Sequence, residues 1–177
     1  MFTRLLLAAA FVAMAGPALA FEISSPPLAS GSWDQKYLAK ECGGQDISPA
    51  LEWRDPPEGT QSFMLTLFDK DALDGFGWWH WQVLKIPATS TGLPEGAGLK
   101  SGKGMPKGVQ QGKADLGSAG YLGPCAKPGR GPHQMVFTLY ALKAPADIEG
   151  GASPGMILAD AMRKTLGKAT VTYPYGE

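Results

Sequence analysis

Gln134-Met135-Val136-Phe137-Thr138-Leu139-Tyr140-Ala141-Leu142 is apolar at most positions, mixes aromatic with β-branched residues and lies between a Gly/Pro-rich approach and polar Lys143. Such a run reads as a strand buried on both faces, between two layers. Two earlier stretches repeat the pattern. From Phe63 to Asp69, Phe63, Leu65 and Leu67 alternate with Met64, Thr66 and Phe68; from Trp79 to Ile86 a second run is stopped by Pro87. Lys168 to Tyr173 alternates Ala, Val and Tyr with Lys and Thr and reads as a late strand. One helix is signalled: Ser153 as its cap, Pro154 at its first position, an apolar stripe of Met156, Ile157, Ala161 and Leu166, and Gly167 to end it. These elements define a mainly β chain, an antiparallel β-sandwich with one or two peripheral helices.

Composition agrees. The 177 residues include 24 Gly and 15 Pro, yet 44% of the chain is hydrophobic and five residues are Trp, which excludes a disordered polymer. Sixteen basic residues balance sixteen acidic ones, so no global field draws the chain to nucleic acid or an anionic membrane. Many of the glycines and prolines fall between Pro87 and Pro132, a segment of loops or short strands, and long loops often carry function.

Residues 1–20 read as a cleaved signal peptide: Arg4 precedes the apolar Leu5–Ala15 run, Gly16-Pro17 breaks it, and Ala18-Leu19-Ala20 supplies the small residues before the cut. The run is too short to cross a bilayer, and no later stretch is long enough for an integral span. A single domain over residues 21–177, periplasmic or secreted, is therefore expected. Cys42 and Cys125 are the only cysteines, and an even count in an oxidising compartment favours a disulfide between them, with two free buried thiols as the alternative.

Three constellations carry candidate chemistry. Asp69-Lys70-Asp71-Ala72 places two carboxylates on one side if the chain stays extended, either to tune each other or simply as a solvated turn. Gly77-Trp78-Trp79-His80-Trp81 sets an imidazole among aromatic walls, where it can serve an anion, act as a base, or be a core histidine satisfied by a carbonyl. Gly120-Tyr121-Leu122-Gly123-Pro124-Cys125, followed by Pro128-Gly129-Arg130-Gly131-Pro132-His133, can form an anion nest leading to a second histidine. His80 and His133 each open a strand, which favours one shared pocket. Two other motifs are read as lures. Gly151-x-Ser153-x-Gly155 lacks the amide a hydrolase elbow needs, because Pro154 follows the serine; His133-x-Met135 resembles a copper(I) pair, with Met135 as core filler the preferred reading.

Taken in order, Ser48-Pro49-Ala50-Leu51-Glu52-Trp53, Asp69-x-Asp71-Ala72, Gly77-Trp78-Trp79-His80-Trp81, Ile86-Pro87-Ala88, Gly120-Tyr121-x-Gly123-Pro124-Cys125, Pro132-His133 and Phe137-x-Leu139-Tyr140 resemble the phosphatidylethanolamine-binding protein (PEBP) family. The likeness is to its bacterial Raf-kinase-inhibitor-like branch and spans essentially the whole mature chain. It implies a large central antiparallel sheet, a smaller second sheet and a pocket made by Asp69, Ala72, Trp78, His80, Tyr121, Gly123, Pro124 and His133. It further implies a small anionic or phosphorylated ligand, such as phosphate or a phospholipid head group; the motifs themselves contain no cofactor fingerprint and no metal cluster, so neither cofactor nor metal is expected. Three departures bear on that pocket: Lys70 and Leu73 stand where the family has prolines, and Met135 where it has an aromatic; Lys85 replaces the usual Asn before Ile-Pro.

The expected function is binding rather than catalysis, with His80 and His133 clamping an anionic group against the Gly123 loop. Two alternatives stay open: a weak phosphoester or head-group hydrolase using His80 and Asp69, and an interaction protein acting on a protease, kinase or host receptor. Nucleic acid is not an expected partner; a homodimer is left open.

Overall fold

The structure is a computed structural model that describes residues 20–125, 129, 131–147 and 152–176. Residues 1–19 of the expected signal peptide, together with Pro128, Arg130 and Gly151 of the motifs above, lie outside the described residues.

The strand read from Gln134 to Leu142 is β7 (His133–Leu142), and from Met135 to Leu142 it pairs with the whole of β3 (Ser62–Asp69). On its other side β3 pairs with β4 (Trp78–Pro87), which carries β6 (Gln110–Gln111) at its edge; β8 (Thr165–Tyr175) closes the far edge against β7. The result is a five-stranded antiparallel sheet in the order β6-β4-β3-β7-β8. A second, three-stranded sheet stacks on one face: β1 (Glu22–Ser24), β2 (Leu51–Arg54) and β5 (Gly92–Leu93), in the order β1-β2-β5.

Because β3 is apolar on both faces, it feeds two cores. Phe63, Leu65 and Leu67 point into the space between the sheets, where they meet Ile23, Leu51, Trp53 and Leu93 with Trp81 and Phe137. Trp53 and Phe63 pack edge-on at 5.6 Å between ring centroids. Met64 points the other way and joins Leu84, Leu142 and Ala146 beneath the helix Pro154–Lys164, which contributes Ile157 and Ala161. A fully buried side chain of this size contributes about 1.5–3 kcal/mol.

The helix begins as expected, with Ser153 extended and its Oγ accepting from the Met156 amide at 3.4 Å. It ends earlier. The chain leaves the helix at Lys164, and Gly167, expected as its stop, is already a β8 residue opposite Ala141. Pairing with β7 outweighs the helical signal there. Of the four stripe residues only Ile157 and Ala161 are buried, whereas Met156 and Leu166 are exposed.

Candidate functional site

β3 ends at Asp69, and the chain turns at once. Asp69 Oδ1 accepts from the amides of Asp71 at 3.0 Å and Ala72 at 3.2 Å, while Asp71 Oδ2 accepts from the Gln134 amide at 2.7 Å. Since the backbone is not extended past Asp69, the two carboxylates do not form a pair; each holds a different backbone segment. The other oxygen of Asp69, Oδ2, lies 2.5 Å from Nδ1 of His133 at the start of β7. Asp69 is buried and His133 half-buried, so the carboxylate fixes the imidazole in place.

His80, on β4, is buried, and its Nδ1 lies 2.9 Å from the Leu122 carbonyl. A carbonyl can only accept, so Nδ1 carries the proton. The Leu122 amide returns a bond to the His80 carbonyl at 3.1 Å, which docks the Tyr121–Cys125 loop onto β4 at two points. Burial pushes the His80 imidazole below the ordinary histidine value of 6.5, against the opposing pull of the Leu122 carbonyl and the Asp69 and Asp115 carboxylates.

The loop is held from behind as well. Cys125 is bridged to Cys42 with a Cα separation of 5.7 Å, so the disulfide expected from the cysteine count is present. The Gly123 amide donates to Asp46 Oδ1 at 2.9 Å, and the Ala39 amide donates to the Pro124 carbonyl at 3.2 Å. Gly123 is required for a reason other than ligand approach: a Cβ there would sit 2.3 Å from both the Ala39 nitrogen and the Leu38 carbonyl carbon. With its amide committed to Asp46, Gly123 does not contribute a free donor to an anion nest.

Asp69, Ala72, Trp78, His80, Gly123 and His133 all line one cavity of about 260 Å³. Tyr121 and Pro124 do not. Tyr121 packs edge-on against Trp81 and donates its hydroxyl to the Tyr37 carbonyl at 2.9 Å, and burial pushes its phenol well above the usual value. Its place is in the core, fastening the loop to the Gln35–Tyr37 turn. The cavity also has lining residues outside the expected pocket set: Glu41, Leu73, Leu116, Leu122 and Cys125. Glu41 has one retrospective signal, its position beside Cys42, since the bridge carries it to the rim. Leu116 sits in the irregular segment and gave none.

The departures from the family pattern now have locations. Leu73 lines the cavity with φ of +52°, a conformation closed to proline, whose ring fixes φ near −65°. This loop therefore follows a path that the family's proline does not permit. Met135 is fully buried in the core between the sheets and does not line the cavity, which removes it from both the pocket and the copper reading. Lys85 has φ of +58° where the β3–β4 register shifts between Leu65 and Phe63. A larger depression of about 760 Å³ lies over the three-stranded sheet, where Glu22 pairs with Arg54, but it contains no imidazole.

The architecture defines a class: a two-sheet β-sandwich with one small, histidine-lined cavity at the end of its central strands. Residues 29–176 match the family model described as phosphatidylethanolamine-binding protein, and the chain belongs to that family. It is 40% identical to the UPF0098 protein YbcL of Escherichia coli K12 over 156 residues, covering 84% of this chain and 85% of that protein. Identity to the UPF0098 protein YbhB of the same organism is 43% over 131 residues, covering 73% and 81%. The crystal structure of E. coli YbcL, described as a new member of the mammalian PEBP family, superposes with a TM-score of 0.83 at 35% identity, covering 89% of this chain and 98% of that one. A PEBP homologue from Chlamydia trachomatis, CT736, gives 0.72 at 26% identity, again covering 89% and 98%.

Proposed function

We propose that the protein binds a small anionic or phosphorylated ligand in the Asp69/His80/His133 cavity, and that it does so as an exported, periplasmic or secreted domain. The observation that carries this reading is the shared arrangement of the two imidazoles. Each uses Nδ1 to hold a wall partner, the Leu122 carbonyl or Asp69, and both rings line the same cavity. Neither Nε2 has a hydrogen bond to a described residue, which leaves both for a guest in a cleft with an aromatic wall at Trp78. Binding rather than turnover is favoured because the described lining residues supply no hydroxyl, and the one sulfur among them, Cys125, is engaged in the disulfide. The bridge also supports export, since such bonds persist in oxidising compartments.

Calorimetry with inorganic phosphate and O-phosphoethanolamine tests the reading. His80→Ala and His133→Ala should each weaken binding by about tenfold or more, the scale of one lost hydrogen bond to a charged group. Affinity unchanged in both variants refutes the site. Intact mass of protein recovered from the periplasm should correspond to a chain beginning at Phe21.

A further inference from the structure

The two imidazoles are not equivalent. His133 Nδ1 faces a carboxylate, so with an anionic oxygen at its other nitrogen the ring is set between two acceptors, and Nε2–H is the donor that such a guest meets. His80 Nδ1 faces a neutral carbonyl and the ring is buried, so its Nδ1–H tautomer is fixed and its Nε2 presents a lone pair. An oxyanion facing that lone pair meets an acceptor with an acceptor. Only a ligand oxygen that still bears hydrogen satisfies it. The groups that face His80 do not invert this polarity: Asp69 and Asp115 draw a proton toward the ring, His133 opposes it, and burial, the largest influence, keeps the ring neutral. Glu41 on the rim adds another acceptor, not a donor.

Resting on the binding reading above, we infer that the cavity selects a monoprotonated oxyacid, the hydrogenphosphate group of a monoester or of free phosphate. Its P–O–H donates to Nε2 of His80 and a charged oxygen accepts from Nε2 of His133. A phosphodiester, which has no hydrogen left on phosphorus-bound oxygen, is disfavoured by the same geometry, and so is sulfate. His80 is then the residue that determines specificity, and His133 the one that supplies charge recognition.

The test is calorimetry on the full mature chain with methyl phosphate, inorganic phosphate, dimethyl phosphate and sulfate between pH 5.5 and 8. Methyl phosphate and inorganic phosphate should bind at the acid end, with dimethyl phosphate and sulfate roughly tenfold weaker or worse. As pH rises past the second pKa of a monoester, about 6, methyl phosphate affinity should fall by up to about tenfold per unit. Sulfate carries no proton across this range, so its own slope reports the protein groups, and only the additional slope of methyl phosphate reports the ligand proton. In His80→Asn, whose amide can keep the Leu122 contact but has no atom at the Nε2 position, the preference for methyl phosphate over sulfate should shrink toward unity. Equal affinity for all four anions, or an unchanged preference in His80→Asn, overturns the inference while leaving an anion site intact. If none of the four binds, both the inference and the binding reading fall.

Discussion

Removing the bridge by Cys42→Ser together with Cys125→Ser should destabilise the protein chiefly by freeing its unfolded state. The two cysteines are 83 residues apart. A closed loop of that length restricts the denatured chain by about 4.5 kcal/mol on the chain-entropy relation. Against the roughly 5–15 kcal/mol that holds a typical domain together, this is a large share. For a chain of this size it corresponds to a fall of roughly 10–18 °C in Tm. Equilibrium urea unfolding of the native and double-serine proteins measures it, and the slope with denaturant should steepen as the unlinked chain expands. A second readout separates the unfolded-state account from a folded-state one. The Gly123 amide bonded to Asp46 and the Ala39 amide bonded to Pro124 join the same two segments without the sulfurs. Their hydrogen-exchange protection should drop only as far as global stability drops. A loss of less than about 1 kcal/mol, with the bridge shown intact in the native protein by its two-dalton mass deficit, refutes the reasoning. Selective loss of protection at Gly123 and Ala39 would instead place the effect in the folded pocket wall.

Lys85→Asn should stabilise the protein by about 0.5–1 kcal/mol, because Lys85 holds φ of +58° and asparagine tolerates the left-handed region better than lysine; a lower urea midpoint in the variant contradicts this. Stability should also decline as pH falls through and below 6.5. Burial depresses the His80 pKa in the fold, so between the folded value and the ordinary 6.5 the unfolded chain binds the proton and the folded chain does not. Urea midpoints measured from pH 7.5 down to 5 should fall more steeply for the native protein than for His80→Asn; parallel slopes would remove His80 as the cause.

Much of the larger sheet was legible because its strands carry the burial pattern directly. Phe63–Asp69, Trp79–Ile86 and Gln134–Leu142 lie within a residue or so of the observed β3, β4 and β7. Short strands such as Gly92–Leu93 and Gln110–Gln111 are two residues each, and no periodicity exists at that length. The helix end misled for a related reason. Gly167 is a sound local stop signal, but the pairing of Thr165 with Leu142 is a long-range fact that local chemistry does not contain. At the site, the sequence motifs brought both histidines, Asp69 and Trp78 to one place. They did not reveal which hydrogen-bonding atoms remain available there.

That last point follows from how the cavity wall is built. Its segments are loops and strand ends, which lack sheet partners for their backbone amides, and aspartates take the partners' place. Asp46 holds Gly123, Asp69 holds Asp71 and Ala72, Asp71 holds Gln134, and Asp115 holds Trp79. Ala72 and Gly123 line the cavity, so there these bonds satisfy donors that would otherwise have been free for an anion. A Gly/Pro-rich loop read in isolation looks like a nest of inward amides; in the folded chain at least the Gly123 amide is already spent on a carboxylate, and the Leu122 amide on the His80 carbonyl. On the proposed binding reading, recognition falls to the two ring nitrogens for which no hydrogen bond to a described residue is seen. One wall partner is a carbonyl and the other a carboxylate, and the ligand inferred from that difference meets an acceptor on one side and a donor on the other.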